Sequence, residues 1–229
     1  MLYDAILGEL DFLTIVLYTI SSLLVIFLIL PIHEFAHALI ATKLGDPTAR
    51  HMGRLTLNPF AHIDWIGSAA ILFFGFGWAN PVPVHMANFK KPKRDMAITA
   101  LAGPLSNILL AFVSMIICYA LLCLGNFGGV NFAFYISDIF YVVAHISTVL
   151  AVFNLIPIPP LDGSKILAAF LPDRMYIKLM QYERYCSFVL LIMMVTGLLD
   201  KPITFLSGYV FGGIQTVAFL PFNFIIGLV

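Results

Sequence analysis

Residues 12–32 run for 21 positions without a charged side chain, and no other feature so narrows what this chain can fold into. At about 1.5 Å per residue, a helix of that length covers the ~30 Å hydrocarbon core of a bilayer. Inside lipid each backbone N–H and C=O needs a partner within the protein, so the run reads as a membrane-spanning helix. It does not end in a loop. It passes straight into His33-Glu34-Phe35-Ala36-His37, and the helical pattern continues towards Lys43. Ionisable side chains in or beside a span are costly, and where they occur they point to function.

Composition extends this reading to the whole chain. Of its 229 residues, 61% are hydrophobic and 10% charged, with mean hydropathy +1.00, whereas soluble domains carry about 25% charged residues. The expected fold class is an all-α polytopic membrane protein, one domain over residues 1–229, with a core over about 12–170 and further spans over about 185–229. Five crossings are expected, at about 12–34 (running on to 43), 97–124, 135–157, 185–200 and 203–228. The leader holds Asp4, Glu9 and Asp11 and no lysine, and the apolar run exceeds a signal peptide's core of about 7–15 residues, so the first helix reads as a span. Zero formal net charge and short basic runs argue against a nucleic-acid partner. Cys118, Cys123 and Cys186 lack the C-x-x-C spacing of a zinc or redox site.

A sixth apolar stretch, residues 66–84, differs from the others. Gly67, Gly75, Gly77, Pro81 and Pro83 argue against one continuous helix, so the stretch is expected as extended chain with bends. Lys43, Arg50 and Arg54 precede it, and Lys90, Lys91, Lys93 and Arg94 follow. The positive-inside tendency assigns both flanks to the cytoplasmic side, which makes the stretch a re-entrant β element that dips in and returns. Lys165, Arg174, Lys178 and Arg184 then also lie inside, with the acidic leader and the Lys- and Arg-free residues 125–137 outside. Only Lys201, of twelve basic residues, is opposed.

The chemistry centres on His33 and His37. Four apart on a helix, they share one face, and both imidazoles reach one metal ion, with zinc the expected cofactor. Glu34 is then placed as the base that takes a proton from a water activated by that metal. A third ligand is expected elsewhere. Asn154-Leu155-Ile156-Pro157-Ile158-Pro159-Pro160-Leu161-Asp162-Gly163 has three prolines in four residues, which cannot continue a helix. Unwound backbone at membrane depth is tolerated where it is buried in protein or lines a wet cavity, and Asp162 leaves it as an oxygen ligand. The alternative is that Asp162 only caps the following helix.

Ala102-Gly103-Pro104-Leu105-Ser106-Asn107 opens the next clear span, where small residues allow close helix approach and Asn107 bonds across helices or contacts substrate. His51, His62, His85 and His145 are expected in ordinary hydrogen bonds. Two rival readings are a transporter with an acid–imidazole relay and an inactive zinc scaffold. Against them, the ionisable groups gather at one level, inverted repeats are missing, and a scaffold needs no Glu34.

These motifs together resemble the site-2 protease family of intramembrane zinc metalloproteases. The resemblance covers roughly residues 20–170, and Leu44-Gly45-Asp46-Pro47-Thr48-Ala49 with Gly53-Arg54-Leu55-Thr56-Leu57-Asn58-Pro59 looks most like its short bacterial and archaeal members. It implies a three-helix catalytic core, membrane-associated strands between the first two core helices, and no PDZ or CBS regulatory domain. His33, His37 and Asp162 would be zinc ligands and Glu34 the general base. Asn154 would match the asparagine that holds substrate or the developing oxyanion. The partners implied are transmembrane protein substrates and the lipid bilayer of a prokaryotic cell membrane. A peptide drawn from a membrane helix needs partners for its freed backbone groups, and an open edge within residues 73–84 is expected to supply them by strand addition.

Overall fold

The structure is a computed structural model, and it describes residues 12–128, 131–172, 174–175, 178 and 181–226. The acidic leader with Asp4, Glu9 and Asp11 lies outside the described residues. The chain divides into two compact units, residues 1–103 and 104–229.

The first unit begins with α1 (Phe12–Leu24), a π-helical turn (Val25–Ile29) and α2 (Leu30–Leu44), which together make one long apolar span. The π turn has a local cause. In a regular α-helix the ring of Pro31 would press on the Phe27 carbonyl and deny it a donor. The wider turn, with the Leu30 N–H donating to the Val25 carbonyl, carries the chain past this conflict one turn before His33. Gly45 ends α2 in the left-handed region at φ 111°, where a side chain is disfavoured. Short α3 (Thr48–His51) and a 3₁₀ turn (Pro59–Ala61) lead to α4 (Trp65–Phe74), then to extended chain over 76–85.

This last stretch corrects an expectation. Its first half is helical, and no β-strand occurs among the described residues. Asp64 caps α4 by accepting from the Gly67 N–H at 2.7 Å, and Gly75 closes it at φ 80°. The glycines that suggested a broken helix serve close approach instead. A Cβ on Gly67 would collide with the Trp78 carbonyl, and one on Gly77 with the Gly67 carbonyl. The extended chain therefore lies directly on the first turn of α4.

α5 (Pro92–Gly128) contains the boundary between the units. The second unit continues with α6 (Asn131–Asn154), α7 (Asp162–Ala168), α8 (Glu183–Val195) and α9 (Asp200–Ile226). Its core joins Ala111 and Met115 of α5 to Ala144 of α6 and to Phe211, Ile214 and Ala218 of α9. Alanines at such contacts let helices approach closely in lipid, where packing rather than water exclusion drives association. A smaller cluster of Leu161, Leu190 and Leu199 ties the turns around α7 and α8 together.

Among the described residues, four helices are long and apolar enough to cross a membrane: Ile15–Leu44, Pro92–Gly125, Phe132–Asn154 and Asp200–Asn223. The all-α polytopic class is therefore as expected, but the crossing expected at 185–200 is not among them. α8 has 13 residues, about 20 Å of helix against a ~30 Å hydrocarbon core. It stops ahead of Gly197 at φ 70°, a residue that suits the left-handed turn and that a continuous span would not need.

Candidate metal centre and active site

His33 and His37 stand one turn apart on α2, both buried, at 4% and 7% exposure. Their Nε2 atoms are 3.0 Å apart and their rings are nearly perpendicular, at 82°. His37 Nδ1 lies 2.7 Å from the Thr99 carbonyl on α5. A carbonyl only accepts, so Nδ1 donates, and the Nε2 lone pair of His37 is turned towards His33. Such a bond orients a metal-binding imidazole and raises its basicity. Gly103 completes the cradle. A Cβ there would collide with His37 Nε2 and come within 2.6 Å of His33 Nε2. Two converging imidazole nitrogens beside a position that excludes even a methyl group fit a small tetrahedral cation.

Glu34 is half-buried on the same turn of helix, and its Oε2 accepts the backbone N–H of Val82 at 2.9 Å. The extended chain that supplies this N–H is fixed on both sides. Upstream, the Asn80 N–H donates to the His62 carbonyl at 2.8 Å, and the Arg54 guanidinium reaches the Ala61 and Asn80 carbonyls. His62 is itself buried, its Nε2 2.9 Å from the Thr56 carbonyl. Downstream, Asp46 takes the His85 N–H on Oδ2 at 2.7 Å and the Asn88 side-chain amide on Oδ1 at 2.7 Å.

Asp46 was visible in the sequence only as part of a resemblance, yet it joins the end of α2 to the extended chain. It is fully buried, and also accepts from the Thr48 N–H at 3.1 Å and from the Thr48 hydroxyl. Burial pushes its pKa up, but the hydrogen bonds from Thr48, Asn88 and His85 outweigh that and hold the carboxyl below its ordinary value. The available signal was an aspartate directly after a helix-ending glycine, with Thr two residues on: the pattern of a side chain folding back onto its own turn.

In the second unit, Asp162 is buried at the first position of α7. Leu161 occupies the cap position, and Asp162 is the first residue of the helix proper. Its Oδ1 receives Lys165 Nζ at 3.3 Å. Gly163 shows why the unwound segment lies so close: a Cβ there would collide with the Leu155 carbonyl and come within 2.5 Å of that of Ile156. Asn154, half-buried at the end of α6, donates Nδ2 to the Leu150 carbonyl at 2.9 Å. Asn107 is buried on α5. Of the remaining histidines, His51 and His85 are exposed, and His145 meets the Phe211 ring edge-on at 5.2 Å.

A buried histidine pair and a carboxylate on one turn of an apolar span are side chains of the kind a membrane-embedded metallopeptidase uses. Comparison with known proteins agrees. Residues 128–199 match the model of Peptidase family M50. Relatives carrying the name "Putative zinc metalloprotease" include YwhC of Bacillus subtilis (strain 168), 40% identical across 79% of this chain and 81% of that protein. MJ0611 of Methanocaldococcus jannaschii is 32% identical across 59% and 62%, and Rip2 of Mycolicibacterium smegmatis is 27% identical across 74% and 64%. No solved structure gives a significant match. The chain belongs to peptidase family M50.

Proposed function

We propose that the chain is a zinc metalloprotease that hydrolyses peptide bonds within or beside the transmembrane segments of other membrane proteins. The observation that carries this is the converging Nε2 pair of His33 and His37 at the end of an apolar span, with Glu34 on the same turn. His33, His37 and Asp162, each of them buried, are the ligands this reading assigns, since two imidazoles, one carboxylate and an open position make a catalytic set. The metal is zinc, as the relatives' names state for themselves.

Zinc, when bound, supplies a Lewis acid that brings a water's pKa towards neutrality and withdraws charge from a carbonyl oxygen. The protein's own groups do the rest. Glu34 takes the proton from the attacking water and returns it to the leaving nitrogen. Thr99 holds His37 in the tautomer that leaves Nε2 for the metal. Asn154 steadies the substrate carbonyl through its amide, and Asn107 is assigned to substrate binding. A helical substrate unwinds locally to reach the site, since its scissile carbonyl is otherwise bonded within its own helix. The site faces the cytoplasm, the side to which the basic loops belong.

The test is co-expression of single-span membrane proteins with the wild-type chain or with Glu34→Gln. Wild type should yield cleavage products inside or next to the span. Glu34→Gln should bind zinc at full stoichiometry and yield none, whereas His33→Ala, His37→Ala and Asp162→Asn should lose zinc as well. Full zinc and full cleavage in Asp162→Asn would remove Asp162 from the ligand set.

A further inference from the structure

The sequence Asn80-Pro81-Val82-Pro83-Val84 places one N–H between two residues that have none. Each proline locks its own φ and keeps the preceding residue extended, so Val82 cannot enter a helical turn and its N–H direction is fixed by the chain itself. That N–H ends on Glu34 Oε2 at 2.9 Å. We infer that the backbone N–H of Val82 is a positioning group for catalysis, holding the Glu34 carboxylate in its working orientation. The inference rests on the reading of Glu34 as the general base.

The physical argument concerns rotamers. A half-buried glutamate without a partner samples several side-chain conformations, and ordering it has an entropic cost that would otherwise fall on each turnover. A charge-assisted N–H bond to one oxygen removes that freedom beforehand. With Oε2 committed to Val82, Oε1 is the oxygen that exchanges protons with water and leaving group. The donor is held independently of metal and substrate. Gly77 lies against the Gly67 carbonyl, Asn80 is bonded to His62, and His85 to Asp46, so anchors stand on both sides of Val82. This changes the meaning of the edge expected to hold substrate. The Val82 N–H already serves the base, so a proline at 82 would disturb catalysis itself rather than peptide docking.

Two measurements on the full chain in lipid nanodiscs test the inference. Amide exchange reads the bond directly. Glu34→Ala should speed exchange at the Val82 amide by about tenfold or more, while the Asn80 amide, bonded to His62, keeps its rate. For catalysis, an amide-to-ester replacement at Val82 removes the N–H and little else. On a fluorogenic peptide built from an apolar span, this ester should show kcat at least about tenfold below that of Val82→Ala, which trims the side chain and keeps the N–H. KM and zinc stoichiometry should be the same in the two. Identical Val82 exchange with and without the Glu34 carboxylate, or equal kcat for ester and Val82→Ala, overturns the inference. Cleavage by Glu34→Gln would instead overturn the assignment of the base. An inactive Glu34→Gln beside a fully active ester would leave the protease standing and remove only the role of Val82.

Discussion

At position 103 a single methyl group would occupy the space in which two imidazole nitrogens converge. Gly103→Ala therefore separates metal binding from folding. Alanine is the better helix former by about 1 kcal/mol, so α5 should persist, whereas the added Cβ would meet His37 Nε2 and His33 Nε2. The expected result is an unchanged far-ultraviolet circular dichroism spectrum with zinc well below one per chain by metal analysis. One zinc per chain in Gly103→Ala would mean that the cradle relaxes around the methyl. The shared face of His33 and His37 was legible in the sequence because a spacing of four on a helix fixes it before any tertiary structure exists. Gly103 was legible only as a small residue. Its neighbours are 66 and 70 positions away (103 − 37 and 103 − 33), and no local pattern encodes them.

Among the elements, the extended chain over 76–85 depends on groups distant in sequence, and its downstream end hangs on Asp46. Removing a buried acceptor with several donors typically costs about 1–3 kcal/mol, so Asp46→Ala should lower the apparent Tm clearly at pH 7. The pH dependence has a definite sign. The folded-state pKa is depressed, so the carboxylate's contribution is fully present above the unfolded value of about 3.9 and is lost as pH falls through the lower, folded value. The gap in apparent Tm between wild type and Asp46→Asn should stay constant from pH 7 to about 5 and close below about 4. A gap that persists undiminished well below pH 3 would show that the carboxylate charge is not what holds the segment. Here the sequence misled in an instructive way. Glycine and proline density predicted broken, extended chain over the whole of 66–84, and did so correctly for 76–84. It failed over Trp65–Phe74 because Gly67 meets a backbone carbonyl of the incoming chain, a demand that reads locally as a helix breaker.

The whole molecule turns on how many times it crosses the bilayer. A five-crossing scheme leaves Lys201 alone on the outer side. If α8, at 13 residues, does not span, α9 enters the membrane from the cytoplasmic side, and all twelve basic residues fall on one face. The charge pattern was in the sequence throughout. Its one exception disappears if residues 185–200 are not a span, and hydropathy alone could not show a helix ending ahead of Gly197. Single cysteines in a background lacking Cys118, Cys123 and Cys186 should decide it. Cysteines at Asn58, Asn88 and Leu198 should react with a membrane-impermeant maleimide only in inverted vesicles, and one at Asn131 only in intact cells. Labelling at 198 from the outside, with 58 and 88 still inside, would restore the fifth crossing. Opposite labelling of 58 and 88 would make residues 66–84 a true span and move Glu34 and its partner Val82 to different depths, which the 2.9 Å bond between them does not permit.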